Sequence, residues 1–178
     1  VINNYLREAV PHIQQLGGFP WELLIIPDKA EATEWRNDQR IMVVTSGRVG
    51  PADKRDLGGR LASGDILVFL DDDSFPESDL LEVASKHFLD PDVIAIGGPG
   101  RTPPSNSFWQ RVSGAVFLSR LTGGAPERYV PVGQVRAIDD WPSVNLMVRQ
   151  DTFMYVGGFD CKYWPGEDTK LCLKLKQT

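Results

Sequence analysis

Three consecutive aspartates, Asp71, Asp72 and Asp73, come directly after an apolar run at residues 66–70. Adjacent carboxylates repel one another unless a cation or water separates them, and Mg²⁺ or Mn²⁺ suits this position because hard divalent ions take oxygen ligands and share them with substrate phosphates. In an extended segment alternate residues point the same way, so Asp71 and Asp73 are expected to face one site. For an isolated triplet, a solvated acidic turn that caps the next helix is the simpler alternative.

A second acidic pair, Glu167 and Asp168, follows Gly166 near the end of the sequence. The dipole of a helix favours carboxylates at its N-terminus, so the pair alone is weak evidence of a site, and the same dipole is expected to lower the pKa of Asp168. Trp141 and Trp164 offer aromatic faces on which a sugar could stack, although core packing is the more common role of a tryptophan.

Strands and helices alternate along the first half of the chain. Strands are predicted at 21–26, 41–45, 66–70 and 93–97, and helices at 4–16, 53–62 and 74–87, the last with a capping box formed by Ser74 and Glu77. Such alternation predicts an α/β fold with a mainly parallel sheet, helices on both faces, and ligands at the carboxyl ends of the strands. The three aspartates would then lie at that edge.

The second half is less regular. Residues 97–104 are rich in glycine and proline, residues 107–118 have a helical pattern, and residues 122–142 are predicted to be mostly loop. A strand at 144–148, a short helix at 151–156 and a final helix at 167–176 complete the prediction.

Composition narrows the class of protein. A chain of 178 residues with 42% hydrophobic and 24% charged residues indicates one globular domain, and a formal net charge of −5 argues against nucleic-acid binding. Apolar runs are strand-sized, so no membrane span is predicted. Cys161 and Cys172 do not suggest a disulfide framework, which favours a reducing compartment, and His12 and His87 have no zinc-ligand spacing.

The ordered set of motifs resembles the family 2 glycosyltransferases of the GT-A fold. Residues 62–73, ASGDILVFLDDD, are similar to the strand that leads into the family's Asp-any-Asp motif. Residues 157–160, GGFD, followed by 166–175, GEDTKLCLKL, resemble its Glu-Asp acceptor-site motif. Asn145 lies between the two motifs in the same order.

The resemblance implies roles for individual residues. Asp73 would be the main metal ligand, Asp71 would help to bind the metal or the ribose, and Asp168 would be the catalytic base. If it is the base, Asp168 should face the aspartate turn rather than merely cap its own helix. Arg55 matches a family position near the nucleotide diphosphate.

Four further residues are candidate substrate ligands by the same resemblance: Asp28, Asn145, Trp164 and Glu167. Asp28 lies close to an aspartate that contacts the nucleobase in the family. Pro27 stands at the first position of the family's usual Asp-Asp pair, so the sequence departs from the family pattern for base recognition at this point.

The implied activity is metal-assisted, inverting transfer of a sugar from a nucleotide-diphosphate sugar to an acceptor hydroxyl, with Mn²⁺ or Mg²⁺ as cofactor. Residues 1–98 would form the nucleotide-sugar half and residues 99–178 the acceptor half. The acceptor would be a saccharide or a lipid-linked molecule of cell-envelope polysaccharide synthesis, in the cytoplasm or at the cytoplasmic face of a membrane. The resemblance also implies that the first strand and a C-terminal segment are missing, so a weakly active fragment is expected.

Three other interpretations remain open from the sequence. A nucleotidyltransferase shares an α/β nucleotide fold and acidic metal ligands, but the Glu-Asp pair favours glycosyl transfer. A receiver-like regulatory domain also binds Mg²⁺ at strand ends, yet it has no use for the second acidic pair. A noncatalytic sugar-binding or nucleotide-binding remnant would keep the fold without turnover.

Overall fold

A computed structural model of the chain describes residues 4–29, 34–35, 37–119, 126–131, 133–160 and 162–178. These residues form an α/β fold, as predicted. In chain order the elements are α1 (Asn4–Gln14), β1 (Leu23–Ile25), β2 (Ile41–Val43), α2 (Pro51–Leu61), β3 (Ile66–Leu70), α3 (Leu80–Phe88), β4 (Ala95–Gly97), α4 (Phe108–Leu118), a short 3₁₀ helix (Pro126–Arg128), β5 (Asn145–Arg149), α5 (Gln150–Tyr155) and α6 (Glu167–Leu175). None of the helices in the described ranges is long and apolar enough to cross a membrane. Cys161 lies outside the described residues, and Cys172 is a free thiol.

The strand directions agree with the predicted fold class except at one strand. Strands β1 and β2 pair in parallel, whereas β5 runs antiparallel to both β3 and β4 and lies between them. The antiparallel direction of β5 was not predicted from the sequence. The predicted β3–α3–β4 crossover does keep β3 and β4 parallel to each other, and β5 enters the space between them from the opposite end.

The core lies against the three-stranded sheet. Leu67 and Phe69 alternate along β3 as its buried side chains, and Phe69 contacts the rings of Phe153 and Phe159 at centroid distances of 5.4 and 5.2 Å. Leu171 of α6 is fully buried in the same cluster. Burial of each phenylalanine stabilises the fold by about 1.5–3 kcal/mol, which fixes α5 and α6 against the sheet.

Helix α3 begins later than predicted, at Leu80 rather than near Ser74. The amide and hydroxyl of Ser74 donate hydrogen bonds to the carbonyl oxygen of Asp71, at 3.1 and 2.9 Å. The predicted capping box with Glu77 is wrong, because Ser74 instead closes the turn that contains the three aspartates. A capping box does start α4, where Ser107 and Gln110 bond each other reciprocally.

Candidate active site

Several of the predicted site residues lie at one edge of the three-stranded sheet. Asn145, at the start of β5, pairs with Leu70, the last residue of β3, so Asn145 lies next to the point where the aspartate turn begins. The chain leaving β4 reaches the same edge, where the amide of Gly98 donates to the carbonyl oxygen of Asn145 at 3.2 Å. Because β5 is antiparallel to its neighbours, the beginning of β5 lies beside the ends of β3 and β4.

Arg55 connects the two acidic motifs. It extends from α2, its side chain is 18% exposed, and its Nη2 lies 2.9 Å from Asp71 Oδ1. Its Nη1 lies 3.5 Å from Glu167 Oε1 and 4.0 Å from Asp168 Oδ1. One guanidinium group therefore lies next to carboxylates of both acidic motifs, which are far apart in the sequence.

The aspartate segment is a turn and not an extended strand. Asp71 is half-buried, whereas Asp72 and Asp73 are exposed, so alternation along a strand does not govern where these carboxylates point. Partial burial of the carboxyl group raises the pKa of Asp73, and the neighbouring charges of Asp71 and Asp72 raise it further.

The carboxylate oxygens of this turn are suitable ligands for a divalent cation. Asp71 and Asp73 would supply two hard carboxylate ligands, and a cation would relieve the repulsion among the three aspartates. Within the described ranges, no group of three or more histidine, cysteine, aspartate and glutamate side chains is placed to hold a metal ion unaided. The remaining ligands would therefore come from substrate phosphate and water, as is usual for Mg²⁺.

Glu167 and Asp168 occupy the first turn of α6 in different environments. Glu167 is buried, and its Oε2 accepts a hydrogen bond of 3.1 Å from the amide of Gly166. Gly166 has a φ of 124°, which few residues other than glycine adopt, so it sets the direction in which the two carboxylates enter the site.

Burial raises the pKa of Asp168, although hydrogen bonding to the Ser143 hydroxyl and amide and the charge of Arg55 act to lower it. The prediction that this pKa would be lowered was wrong, because burial of the carboxyl group outweighs the hydrogen bonds from Ser143 and the charge of Arg55. Asp168 Oδ1 is buried and has no hydrogen-bond partner within the part of the chain that is described.

Asn145 carries a second unpaired acceptor. Its Oδ1 is also buried and lacks a hydrogen-bond donor among the described residues. Its side-chain amide packs so closely on Gly98 that a Cβ at that glycine would lie 2.6 Å from Asn145 Nδ2. Buried acceptors without donors are costly in a folded protein, so two of them on one edge indicate a place for a ligand with hydroxyl or amide donors.

The two candidate tryptophans have different positions. Trp141 is buried: its Nε1 donates to the carbonyl oxygen of Gly98 at 3.2 Å, and its amide donates to Cys172 Sγ at 3.4 Å. Trp141 therefore packs between the end of β4 and α6, and only 7% of its surface is left exposed to a ligand. Trp164 is 70% exposed close to the start of α6, where its ring is free to contact a ligand.

Asp28 is not part of the cluster around Arg55. It follows β1 and forms an ion pair with Lys54, whose hydrogen bond lowers the pKa of Asp28. Lys54 directly precedes Arg55 in α2. These two adjacent residues therefore connect Asp28 with Asp71 of the aspartate turn.

Two functional neighbours were not predicted from the sequence. Ser143 is 2% exposed and lies against Asp168, but it falls between the predicted loop at 122–142 and the predicted strand at 144–148. Asp56 accepts a hydrogen bond of 2.8 Å from the amide of Phe159 and so holds the glycine turn that precedes α6. The helical pattern of α2 did not predict this contact. The position of Asp56 directly after Arg55 was the one feature of the sequence that could have indicated it.

A cleft of about 270 Å³ lies on the side of the molecule formed by the second half of the chain. Trp141 and Asp140 are among the residues that line it, and Arg128 forms an ion pair of 2.7 Å with Asp140 there. Since Trp141 also contacts α6, this cleft adjoins the element that carries Glu167 and Asp168.

The architecture is that of the GT-A glycosyltransferases. A mannosyltransferase from Pyrobaculum calidifontis, solved with GDP-Man and Mn²⁺, superposes with a TM-score of 0.66 at 18% identity over 97% of this chain and 48% of its own. TarS residues 1–349 from S. aureus, solved with UDP-GlcNAc, gives a TM-score of 0.64 at 13% identity over 98% of this chain and 50% of its own. At these identities the likeness establishes the fold.

The chain belongs to glycosyl transferase family 2, whose sequence profile matches residues 3–156. The match includes Arg55, the aspartate turn and Asn145, and it ends before Glu167 and Asp168. The pre-mycofactocin glycosyltransferase of Mycobacterium tuberculosis is 29% identical over 133 residues, which is 71% of this chain and 26% of that protein. The chain thus spans about a quarter of the length of this curated relative.

Proposed function

We propose that this chain transfers a glycosyl group from a nucleoside-diphosphate sugar to an acceptor hydroxyl, with metal assistance and inversion at the anomeric carbon. The observation that carries the proposal is the position of Arg55, which contacts Asp71 at 2.9 Å and lies 4.0 Å from Asp168. Arg55 thus joins the aspartates at the end of β3 to the acidic pair at the start of α6. A donor site next to a catalytic base requires these two motifs to lie close together.

On the donor side, Asp73 and Asp71 are the residues that would hold Mn²⁺ or Mg²⁺. A divalent ion at this position would offset charge on the diphosphate leaving group. Arg55 supplies a fixed positive charge at the same edge, where it can also face the diphosphate. Asp28, beyond Lys54, would be the contact closest to the nucleobase.

On the acceptor side, Asp168 acts as the general base. Its unpaired Oδ1 accepts the hydrogen bond of the acceptor hydroxyl, whose oxygen bonds to the anomeric carbon as the bond to the phosphate oxygen breaks. The proton passes to Asp168 and the nucleoside diphosphate leaves with the electron pair. One displacement from the opposite face inverts the anomeric configuration.

Other residues position the reactants. Glu167 holds Arg55 through its Oε1, and Asn145 Oδ1 is available to a sugar hydroxyl. Trp164 offers an exposed face for an acceptor sugar. We assign residues 1–98 to the donor half and residues 99–178, with their cleft, to the half that receives a saccharide or lipid-linked acceptor.

Donor binding is tested by calorimetric titration of UDP and GDP into the full-length protein with and without Mn²⁺. At least one nucleotide should bind at least about tenfold more tightly with Mn²⁺, and Asp73→Asn should remove the difference. Asp92→Asn, which changes an exposed aspartate elsewhere, should keep it. Affinity that is independent of Mn²⁺ for both nucleotides would refute the metal-bridged donor site.

Glycosyl transfer is tested separately, with a panel of donors that includes GDP-mannose and UDP-GlcNAc. Asp168→Asn should lower turnover about 10²–10⁴-fold while donor affinity stays close to that of the parent chain. Asp65→Asn, an exposed aspartate before β3, is the matched control. If the full-length protein binds a donor yet shows no turnover that depends on Asp168, it is a binding remnant and the catalytic assignment fails.

A further inference from the structure

Helix α4 presents large apolar side chains to solvent. Phe108, Trp109 and Val112 are 62%, 76% and 38% exposed, and Gly114 is the one buried residue of this helix. The rings of Phe108 and Trp109 meet edge to face at a centroid distance of 5.2 Å, so they form a single aromatic wedge. Exposed aromatic groups of this size on a helix indicate an interaction surface.

The wedge lies on the side of α4 opposite Gly114, the helix residue that packs on Thr102. Gly114 packs on Thr102 so closely that a Cβ at the glycine would lie 2.2 Å from Thr102 Oγ1, which identifies the inner face of α4. At about 100° per residue, Phe108, Trp109 and Val112 lie roughly 120–160° around the helix from Gly114. They form a stripe, the α4 stripe, that is left exposed by the part of the chain that the structure describes.

Positive charge is concentrated around the α4 stripe. Residues 93–126 contain three arginines, Arg101, Arg111 and Arg120, and no acidic residue, in a chain whose formal net charge is −5. Arg101 and Arg111 are exposed, and neither forms an ion pair with another residue in the described ranges. The segment is thus complementary to an anionic surface, unlike the chain as a whole.

We propose that α4 docks on an anionic lipid bilayer, with the α4 stripe inserted among the acyl chains and Arg101 and Arg111 at the headgroups. An apolar and aromatic face, together with arginines in a segment of the sequence that has no acidic residue, is typical of helices that lie in the membrane interface. Tryptophan and arginine both favour the headgroup level. The surface is distinct from the Arg55 cluster, and its test requires neither donor nor turnover.

The experiment is co-sedimentation of the full-length protein with phosphatidylcholine vesicles, with and without about 30% phosphatidylglycerol, in low salt. Binding should require the anionic lipid. The Phe108→Ser/Trp109→Ser variant should lower the partition coefficient at least about tenfold, and the Arg101→Gln/Arg111→Gln variant should reduce binding to the level of neutral vesicles. Tyr155→Ser, which changes an aromatic residue that is 83% exposed on α5, is the control and should bind as the parent does.

Three results would overturn the proposal: no binding to anionic vesicles, equal binding by the Phe108→Ser/Trp109→Ser variant, or equal loss with Tyr155→Ser. Sedimentation equilibrium without lipid tests whether a second copy of the chain covers the α4 stripe instead. If the parent is a dimer that the Phe108→Ser/Trp109→Ser variant dissociates, the α4 stripe is covered by a second copy and the lipid assignment is wrong.

Discussion

At the residue scale, charge balance around Arg55 organises the candidate site. A single guanidinium that is 18% exposed faces Asp71, Glu167 and Asp168, so the cluster has an excess of negative charge. Carboxylates that are partly desolvated repel one another more strongly than they would in water. Removing Arg55 would therefore affect both folding and the protonation of Asp168.

We predict that Arg55→Gln lowers the free energy of unfolding by about 1–3 kcal/mol, because three carboxylates lose their shared cation. It should also raise the pKa of Asp168, since the charge of Arg55 lowers that pKa in the parent chain. A base must be deprotonated, so the acid limb of the kcat/KM profile should move to higher pH. Urea unfolding and pH-rate profiles provide the measurements.

Arg60→Gln is the matched control for this prediction, because it removes an exposed arginine from the same helix. An acid limb that stays in place with Arg55→Gln would mean that Asp168 is not the group whose protonation limits the rate.

The sequence predicted which residues lie together in the site but not how burial shifts their pKa values. The motifs identified Arg55, Asp71 and Asp168 correctly as neighbours of one edge. The direction of the pKa shift of Asp168 was wrong, because the depth of burial depends on how α6 packs beside Ser143. Burial of this kind is a tertiary property that no local pattern contains.

At the element scale, the glycine turn between α5 and α6 determines where the acidic pair lies. Gly157 and Gly158 both have positive φ, at 77° and 66°. Asp56 of α2 approaches so closely that a Cβ at Gly158 would lie 2.3 Å from its Oδ1, whereas a Cβ at Gly157 would meet nothing within 4 Å. The same Asp56 accepts the amide of Phe159.

This contrast gives a matched pair of variants. Gly157→Ala should cost about 1–2 kcal/mol of unfolding free energy, because only the left-handed backbone conformation is penalised. Gly158→Ala should cost roughly 2–4 kcal/mol, because it also displaces Asp56 from the turn. Urea unfolding of both variants measures the difference. Equal losses would show that the Asp56 contact contributes nothing to the position of α6.

Element boundaries were predictable where local signals decide them. Strand β3 occupies residues 66–70 as predicted, because an apolar run ends abruptly at charged residues. The predicted start of α3 was wrong because Ser74 bonds Asp71. The antiparallel direction of β5 was not predicted, because pairing partners depend on the path of the chain. Apolar periodicity indicates that a strand exists but not the neighbour beside which it lies.

At the scale of the whole molecule, α2 holds the parts of the site together. Three consecutive residues contact three segments: Lys54 binds Asp28 after β1, Arg55 binds Asp71 after β3, and Asp56 binds the turn before α6. Near the other end of α2, Glu22 accepts hydrogen bonds from the Ser63 amide, the Ser63 hydroxyl and the Gly64 amide, at 2.6, 2.8 and 3.2 Å. These bonds join the two-stranded sheet to the turn before β3.

The last prediction concerns this junction. Burial acts to raise the pKa of Glu22, but the hydrogen bonds from Ser63 and Gly64 together bring it below its ordinary value of 4.5. A carboxyl group whose pKa is lower in the folded state stabilises the fold above its unfolded pKa, and this contribution disappears as pH falls through the folded value. Glu22→Gln should therefore lower the unfolding free energy by about 1 kcal/mol at pH 7, a value that allows for solvent exposure.

The difference between Glu22→Gln and the parent chain should shrink as the pH falls below about 4, since a protonated glutamate and a glutamine accept similar hydrogen bonds. Urea unfolding at pH 7 and pH 3 measures it, and Glu77→Gln, an exposed glutamate after the aspartate turn, is the control. A deficit that is equally large at both pH values would mean that the Glu22 charge does not hold the two-stranded sheet to the turn before β3. The junction would then depend on shape and apolar packing, and α2 alone would set the distance from Asp28 to the aspartate turn.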